Sequence, residues 1–441
     1  MRYDPIDPQL FVENRAKLAA KLKPGSFAVI HSNDIMPQSA DGSMRFYQSS
    51  DLFWLTGVDQ EETTLILNPH ASNPADREML FVRETSDLIR IWEGNKLTAE
   101  EATTVSGIEN VRWSDRFESE FRRCMKDWKT LYLNANEHPR NASEVETREE
   151  RFRKQCQIRY PQHRYERLAP LTYPLRAVKS ESEIQLLRTA CDITEKGFRR
   201  VCHFLKPGVK EYEIEAEFIH EFMQHRSRGF AYNPIIATGG NACVLHYLDN
   251  NDTCRDGDLL LLDVAAEYAH YNADLTRTIP VNGKFTDRQR AVYNAVLNVF
   301  KACREELLKP GVEIKAYQKE VGKCMEAELL SLDLLDPAKV AEERAKDSTE
   351  AEVKEENRLY RKYFMHGTSH SLGLDVHDVT PANRIVLEGA VYTIEPGIYL
   401  PEEGFGIRLE NDVVVKSGAN VDLLENVPIE AEDIEALIAG E

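Results

Sequence analysis

The sequence has no CxxC pair, no apolar run near the length of a membrane span and no excess of positive charge, and each absence removes a class of function. Eight cysteines (Cys124, Cys156, Cys191, Cys202, Cys243, Cys254, Cys303 and Cys324) lie singly along 441 residues. They read as reduced thiols rather than a disulfide framework or a zinc cluster. A bilayer needs roughly 20 consecutive apolar residues, which no segment supplies, so no membrane is expected. The opening MRYDPIDPQL lacks a basic stretch followed by an apolar one, so export is not expected and the chain is placed in the cytoplasm. With 55 Lys and Arg against 74 Asp and Glu, a formal charge of −19, no nucleic acid is expected as a partner, because binding phosphates requires a basic surface. What is present is a 42% hydrophobic chain, long enough for two domains with cores of their own.

Read in order, 9–22 has helical spacing and Phe27–Ile30, after Pro24-Gly25, reads as a strand. Apolar runs at 63–67, 79–82 and 131–133 alternate with helix-like segments such as 115–128, which suggests a mixed α/β first domain over 1–174. Within it 39–57 and Ile91-Trp92 read as loops with aromatic side chains; packed loop structure is the ordinary reading of 39–57, and an exposed aromatic cluster in either would mark an interface. The charge-dense stretch 137–169 reads as a solvated helix and connector. A second domain, 175–441, opens on Ser180 and Glu183, a capping box before a helical stripe. Phe204-Leu-Lys-Pro-Gly-Val209 recurs as Leu307-Leu-Lys-Pro-Gly-Val312, each between amphipathic helices, which suggests two related halves around a cleft; a chance repeat of an ordinary helix stop is the alternative. Residues 333–358 are strongly charged and read as a solvated helical excursion or mobile loop, with no function expected.

Four segments of the second domain concentrate chemistry. The stretch LLLLDVAAEYAHYNADLTRT, 259–278, reads as a hairpin entering a buried sheet. A two-residue loop at Tyr268-Ala269 places Asp263 and Asp274 opposite each other, Cβ atoms about 5 Å apart. Tyr-Ala makes a poor turn of that kind, which leaves a slipped or bulged register open. Paired carboxylates beside an apolar run need a shared proton or a cation; a solvated hairpin is the ordinary alternative. Residues 363–378 hold His366, His370 and His377 in a glycine-punctuated apolar run, 391–399 is a strand stopped after Glu395 by Pro-Gly, and 406–415 carries Arg408 and Glu410 on one face by period two. Taken singly, each has a bland reading as core histidine or solvated glutamate. Together they leave Asp263, Asp274, Glu395 and Glu410 beside buried strands, a hard, oxygen-rich set suited to a pair of Mn²⁺-type ions.

These residues carry a resemblance to the pita-bread metallopeptidases, on the aminopeptidase P side and similar to prolidase. It covers essentially the whole chain, and its most specific parts are LHY around His246, the Asp263/Asp274 hairpin, HGTSHSLGLDVHD, TIEPG and GIRLEND. The resemblance implies an α/β two-domain protein whose C-terminal pita-bread catalytic domain holds two divalent metal ions, Mn²⁺ foremost. It implies Asp263, Asp274, His370, Glu395 and Glu410 as ligands, with Asp274 and Glu410 bridging or bidentate. A hydroxide between the ions would cleave peptides whose second residue is proline, removing the N-terminal residue. Glu395 would carry the proton to the departing amine, His246 and His377 would orient the peptide and stabilise the tetrahedral intermediate, and His366, about a helical turn before His370, would shape the proline pocket. Arg408 would pair with Asp263 and Tyr399. A homodimer or homotetramer is implied as well. Two features depart from the family: Ser371 stands where bacterial relatives often carry a bulky residue, and 333–358 is longer. Prolidase, acting on Xaa-Pro dipeptides, is the rival; an inactive protein-binding module is a remote alternative, because such relatives lose ligands.

Overall fold

The computed structural model describes residues 3–347 and 353–440, which divide into two compact units, Tyr3–Arg176 and Ala177 onward. In the first unit six strands form one mixed sheet in the order Val111–Trp113, Glu78–Val82, Thr64–Leu67, Ser26–His31, Thr130–Leu133, Arg164–Arg167. Ser26–His31 is buried along its whole length. A central strand covered on both faces reads as a continuous apolar run, and here it does. Phe27, Ile66, Phe81 and Leu131 meet Phe121 and Phe152 from the helices Phe117–Asp127 and Arg148–Arg159 in one core. The stretch expected to be a solvated helix and connector is therefore docked. Phe152 and Cys156 are a minority of apolar positions in a charged helix, yet both are buried, and Arg164–Arg167 adds a parallel edge strand that its charged residues conceal.

The 39–57 stretch splits in two. A short exposed hairpin pairs Pro37–Ser39 with Gly42–Ser43, and Ser50–Thr56 is a buried helix holding Phe53 and Trp54 in the core. Its aromatic residues serve packing more than exposure, because Gly57, at φ 66°, turns the chain tightly against the ring of Phe11. The helix Asp87–Glu93 buries none of its residues and leaves Leu88, Ile91 and Trp92 65, 77 and 80% exposed.

The second unit starts with the expected capping box, Ser180 to Glu183, on the helix Glu181–Phe204, which packs on Glu211–Gln224. A second helix pair, Asp287–Ala302 and Ile314–Ser331, follows. The internal echo is structural. Lys210 bridges to Thr253, and Glu313, 103 positions on, bridges to Ile385; Gly208 N–H donates to Cys254 O and Gly311 N–H to Val386 O, each at 2.8 Å. The two halves give a three-stranded sheet each, Thr276–Pro280, Leu259–Asp263, Ile235–Thr238 and Val391–Ile394, Asn411–Val414, Val421–Asp422, with Gly397–Leu400 and Phe405–Arg408 as a further pair. The charged excursion contains the helix Pro337–Asp347, with Val340 and Glu343 buried, so it is docked where the expectation was a solvated segment; 348–352 lie outside the described residues. No helix of the described residues is long and apolar enough to cross a membrane.

Gly197 sits mid-helix because a Cβ there would stand 2.6 Å from Phe222 and 2.9 Å from Phe218. Gly197→Ala gains about 1 kcal/mol of helix propensity but overpacks the helix pair at a cost of about 1–3 kcal/mol. The expected net result is a lower urea unfolding midpoint, and an unchanged or raised midpoint would show that the pair has slack.

Candidate metal centre

The hairpin forms with a corrected register. Asp263 pairs with Thr276 and Glu267 with Asn272, so the loop is Ala269-His270, one residue later than the even spacing of the two aspartates suggests. Both loop residues have positive φ, 51° and 68°, the conformation of a type I′ turn. The turn is held from within and from outside: Glu267 of the same hairpin accepts a short hydrogen bond from His270 N–H, and the Arg228 guanidinium, 42 positions away, reaches His270 Nε2 at 2.8 Å. Asp274 is therefore diagonal to Asp263 on the same face of the sheet, not directly opposite.

The second half of the unit delivers the remaining groups. Glu410 forms an isolated bridge with Thr276 and its N–H donates to Thr276 O at 3.0 Å, so the seam between the halves places Glu410 beside Asp274. Segment 364–370 is irregular, not helical as its four-residue spacing suggested. Gly367, Thr368 and Ser369 interrupt it, and it lies along Val391–Ile394, with Thr393 N–H to His370 O at 2.9 Å. Glu395 follows that strand, its N–H on Thr368 O at 2.8 Å. Asp274, His370 and Glu410 each offer a ligand atom within 4.8 Å of the others. His370 Nε2 is 3.5 Å from Asp274 and 3.7 Å from Glu395. Asp263 reaches the cluster through the shared face and through Arg408, which donates to its Oδ2 at 2.6 Å.

Charge governs this pocket. Burial raises the carboxyl groups of Asp263, Glu395 and Glu410; Asp274 adds to each, and Glu395 is pushed up to about 7. Burial opposes charge on His370 too, but the hydrogen bond to Asp274 and the charge of Glu395 outweigh it and raise the imidazole to about 9. Negative groups thus crowd a recess with Arg408 and His370 as counter-charges, an arrangement that a bound cation relieves. The donor set fits a hard divalent ion: carboxylate oxygens and one imidazole, no thiolate. His370 is prepared for that role, since its Nδ1–H donates to Ser371 O at 3.1 Å and leaves Nε2 facing the carboxylates.

Arg408 also donates to Tyr399 Oη at 2.8 Å, and Tyr399 lies 2.8 Å from His366 Nε2. A hydrogen-bonded line runs from Asp263 to His366. Burial and the Arg408 charge push that imidazole down to about 3, so it is neutral. His377 stacks near His370, ring centroids 4.0 Å apart, and both His377 and His246 are exposed, whereas Asp274 and Glu410 are buried. Those two carboxylates are thus buried and His377 lies at the exposed side of His370.

Several supporting groups are not evident in the sequence. Tyr232 donates to Asp263 Oδ1 at 2.6 Å and Thr276 Oγ1 to Glu410 Oε2 at 2.7 Å. Asp412 Oδ2 accepts Asp274 N–H at 2.9 Å. Thr276 alternates with Asp274 along one strand and was within reach of a period-two reading; Tyr232 comes from a loop and has no such pattern. The departure at Ser371 also has a place, since its hydroxyl donates to Asp378 O in a short bond that ties the two histidine-bearing turns together.

The model of metallopeptidase family M24 matches residues 185–417, and that of the aminopeptidase P N-terminal domain matches 11–132. The chain is 34% identical to the Xaa-Pro aminopeptidase of Escherichia coli over 99% of its length and 98% of the relative's, and 32% identical to that of Haemophilus influenzae over 97% and 96%. Among solved structures it is similar to proline aminopeptidase P II from Yersinia pestis (TM-score 0.83, 34% identity, 98% and 100% of the chains). It is likewise similar to zinc-substituted aminopeptidase P of Escherichia coli in complex with product (TM-score 0.84, 31% identity, 99% of both).

A cation that binds only the folded chain at 100 times its Kd stabilises it by about 2.7 kcal/mol. Mn²⁺ is accordingly expected to raise the thermal midpoint of chelator-treated protein, and Glu410→Gln to remove most of that rise. An equal rise in the variant would place the cation elsewhere.

Proposed function

The chain belongs to metallopeptidase family M24, and from that premise we propose that it is an Xaa-Pro aminopeptidase: it removes the N-terminal residue from peptides with proline second, using two divalent ions, Mn²⁺ foremost. The observation that carries the reading is the convergence of Asp274, His370 and Glu410 ligand atoms within 4.8 Å in a recess that Asp263 and Glu395 also border. We assign Asp263, Asp274, His370, Glu395 and Glu410 as the metal ligands. Bound there, divalent ions would supply Lewis acidity toward the scissile carbonyl and lower the pKa of water.

The chain's own groups do the rest. Glu395, a carboxylate beside His370 at the edge of the cluster, is the group we assign to take a proton from the attacking water and return it to the departing amine. His246 and His377 at the mouth orient the peptide and donate to the oxyanion. His366 is neutral and packs its inner face on the buried rings of Phe364 and Tyr399, and we assign it to the proline pocket. Arg408 fixes Asp263 and, through Tyr399, His366. Assembly into a homodimer or homotetramer belongs to the same reading, with the exposed Leu88, Ile91 and Trp92 as the surface we assign to it.

Asp274→Asn and Glu410→Gln are each expected to abolish turnover, and full activity after EDTA treatment would sink the metal reading. His246→Ala and His377→Ala are expected to lower kcat by about 10²–10³-fold while metal content by elemental analysis stays that of the parent. Rapid hydrolysis of an Xaa-Pro-Xaa peptide with slow hydrolysis of Gly-Pro is the expected specificity; the reverse ranking would make the protein a prolidase. Light scattering at micromolar concentration is expected to give a multiple of 50.5 kDa.

A further inference from the structure

We infer that Glu211 is a positioning residue for His246, acting through Tyr247; this rests on the reading of His246 as a substrate-side group. Glu211 opens the helix Glu211–Gln224 and is fully buried. Its partners are all neutral. Oε1 accepts Thr238 N–H at 2.8 Å and Asn241 Nδ2 at 3.3 Å, and Oε2 accepts the Tyr247 hydroxyl at 2.9 Å and Asp252 N–H at 2.7 Å. Glu211 N–H returns a bond to Asp252 O at 3.0 Å. A carboxylate buried without a cation is costly unless its lone pairs are filled, and here all the donors come from one loop.

The donors bracket His246. Thr238 and Asn241 precede it, Tyr247 and Asp252 follow it, so one carboxylate clamps both ends of the 238–252 loop. Burial does little to define the middle of that loop, where Val244 and Leu248 are 54 and 51% exposed. The entry side is packed: the turn Gly239–Cys243 lies against Phe405–Arg408, where a Cβ on Gly406 would stand 2.7 Å from Ala242 O. The exit side carries His246 and is tied next to it by the Tyr247 hydroxyl. Burial and the bond to Glu211 push that phenol up to about 12, which keeps it a donor at neutral pH. A histidine that must meet a developing oxyanion loses most of its effect when displaced by about 1 Å, and the Glu211 to Tyr247 bond is what prevents that displacement.

The test is a double-mutant cycle in the full-length, metal-loaded protein with an Xaa-Pro-Xaa peptide. Tyr247→Phe, which deletes only the hydroxyl, is expected to lower kcat roughly tenfold with KM changed less than about twofold. In a His246→Ala background the same change is expected to cause no further loss, because its effect passes through the imidazole. Glu211→Gln, which faces donors with an amide, is expected to follow the same pattern and provides a second route to it. An unchanged kcat in Tyr247→Phe, or an equal fold-loss in both backgrounds, overturns the inference and leaves Glu211 a structural group. If His246→Ala itself retains full kcat, the reading of His246 falls and this inference with it; if His246→Ala is crippled and Tyr247→Phe is not, only the inference falls.

Discussion

Repulsion among like charges in a recess is the constraint on which the catalytic unit depends. Two unit charges 4 Å apart interact by about 4 kcal/mol at an effective dielectric of 20; Asp274 and Glu410 meet His370 within 4.8 Å, and Glu395 stands 3.7 Å from the same imidazole. The surroundings are built from donors. Arg408 and Tyr232 hold Asp263, Thr276 holds Glu410, and backbone N–H groups fix the frame on either side. Arg408 offsets the charge of Asp263 and the other contacts orient the carboxylates, yet Asp263, Glu395 and Glu410 remain raised by burial and by neighbouring carboxylates. A site arranged this way favours a multiply charged cation over protons, because protons satisfy oxygens singly whereas a divalent ion engages several at once.

The internal duplication explains where that point lies. The first half contributes the hairpin with Asp263 and Asp274, the second contributes His370, Glu395 and Glu410, and the bridge from Thr276 to Glu410 is the seam. Cys191 and Cys202 are buried thiols pushed up by burial, which suits packing rather than ligation, and Cys191 Sγ donates to Asp412 Oδ2 at 3.5 Å. The first unit has a separate core of its own around Phe27, Phe121 and Phe152. Its aromatic content divides between that core, the buried helix with Phe53 and Trp54, and the exposed face with Trp92.

Where charge overwhelms apolar content, periodicity alone misleads. In Arg148–Arg159 two buried residues anchor a helix that otherwise reads as solvent-facing. In Pro337–Asp347 Val340 does the same. A neighbouring surface decided both, and a hydrophobic pattern within one segment carries no information about a neighbour.

By itself the sequence determined the two-domain α/β architecture, the capping box at Ser180 and the repeat behind the two halves, because residue type and ordered spacing are local properties; the grouping of Asp263, Asp274, His370, Glu395 and Glu410 came from the resemblance its motifs carry. Only the tertiary structure decided the hairpin register. The turn falls at Ala269-His270, where Glu267 holds it from within the hairpin and Arg228 from 42 positions away. The tertiary structure likewise decided that His366 and His370 lie on an irregular segment held by the strand at Thr393, and that Tyr232, Asp412 and Glu211 stand behind the site. Those residues lie 31, 138 and 36 positions from the groups they hold; the Asp412 contact joins the two halves and the other two form within the first half, and none follows from a local spacing.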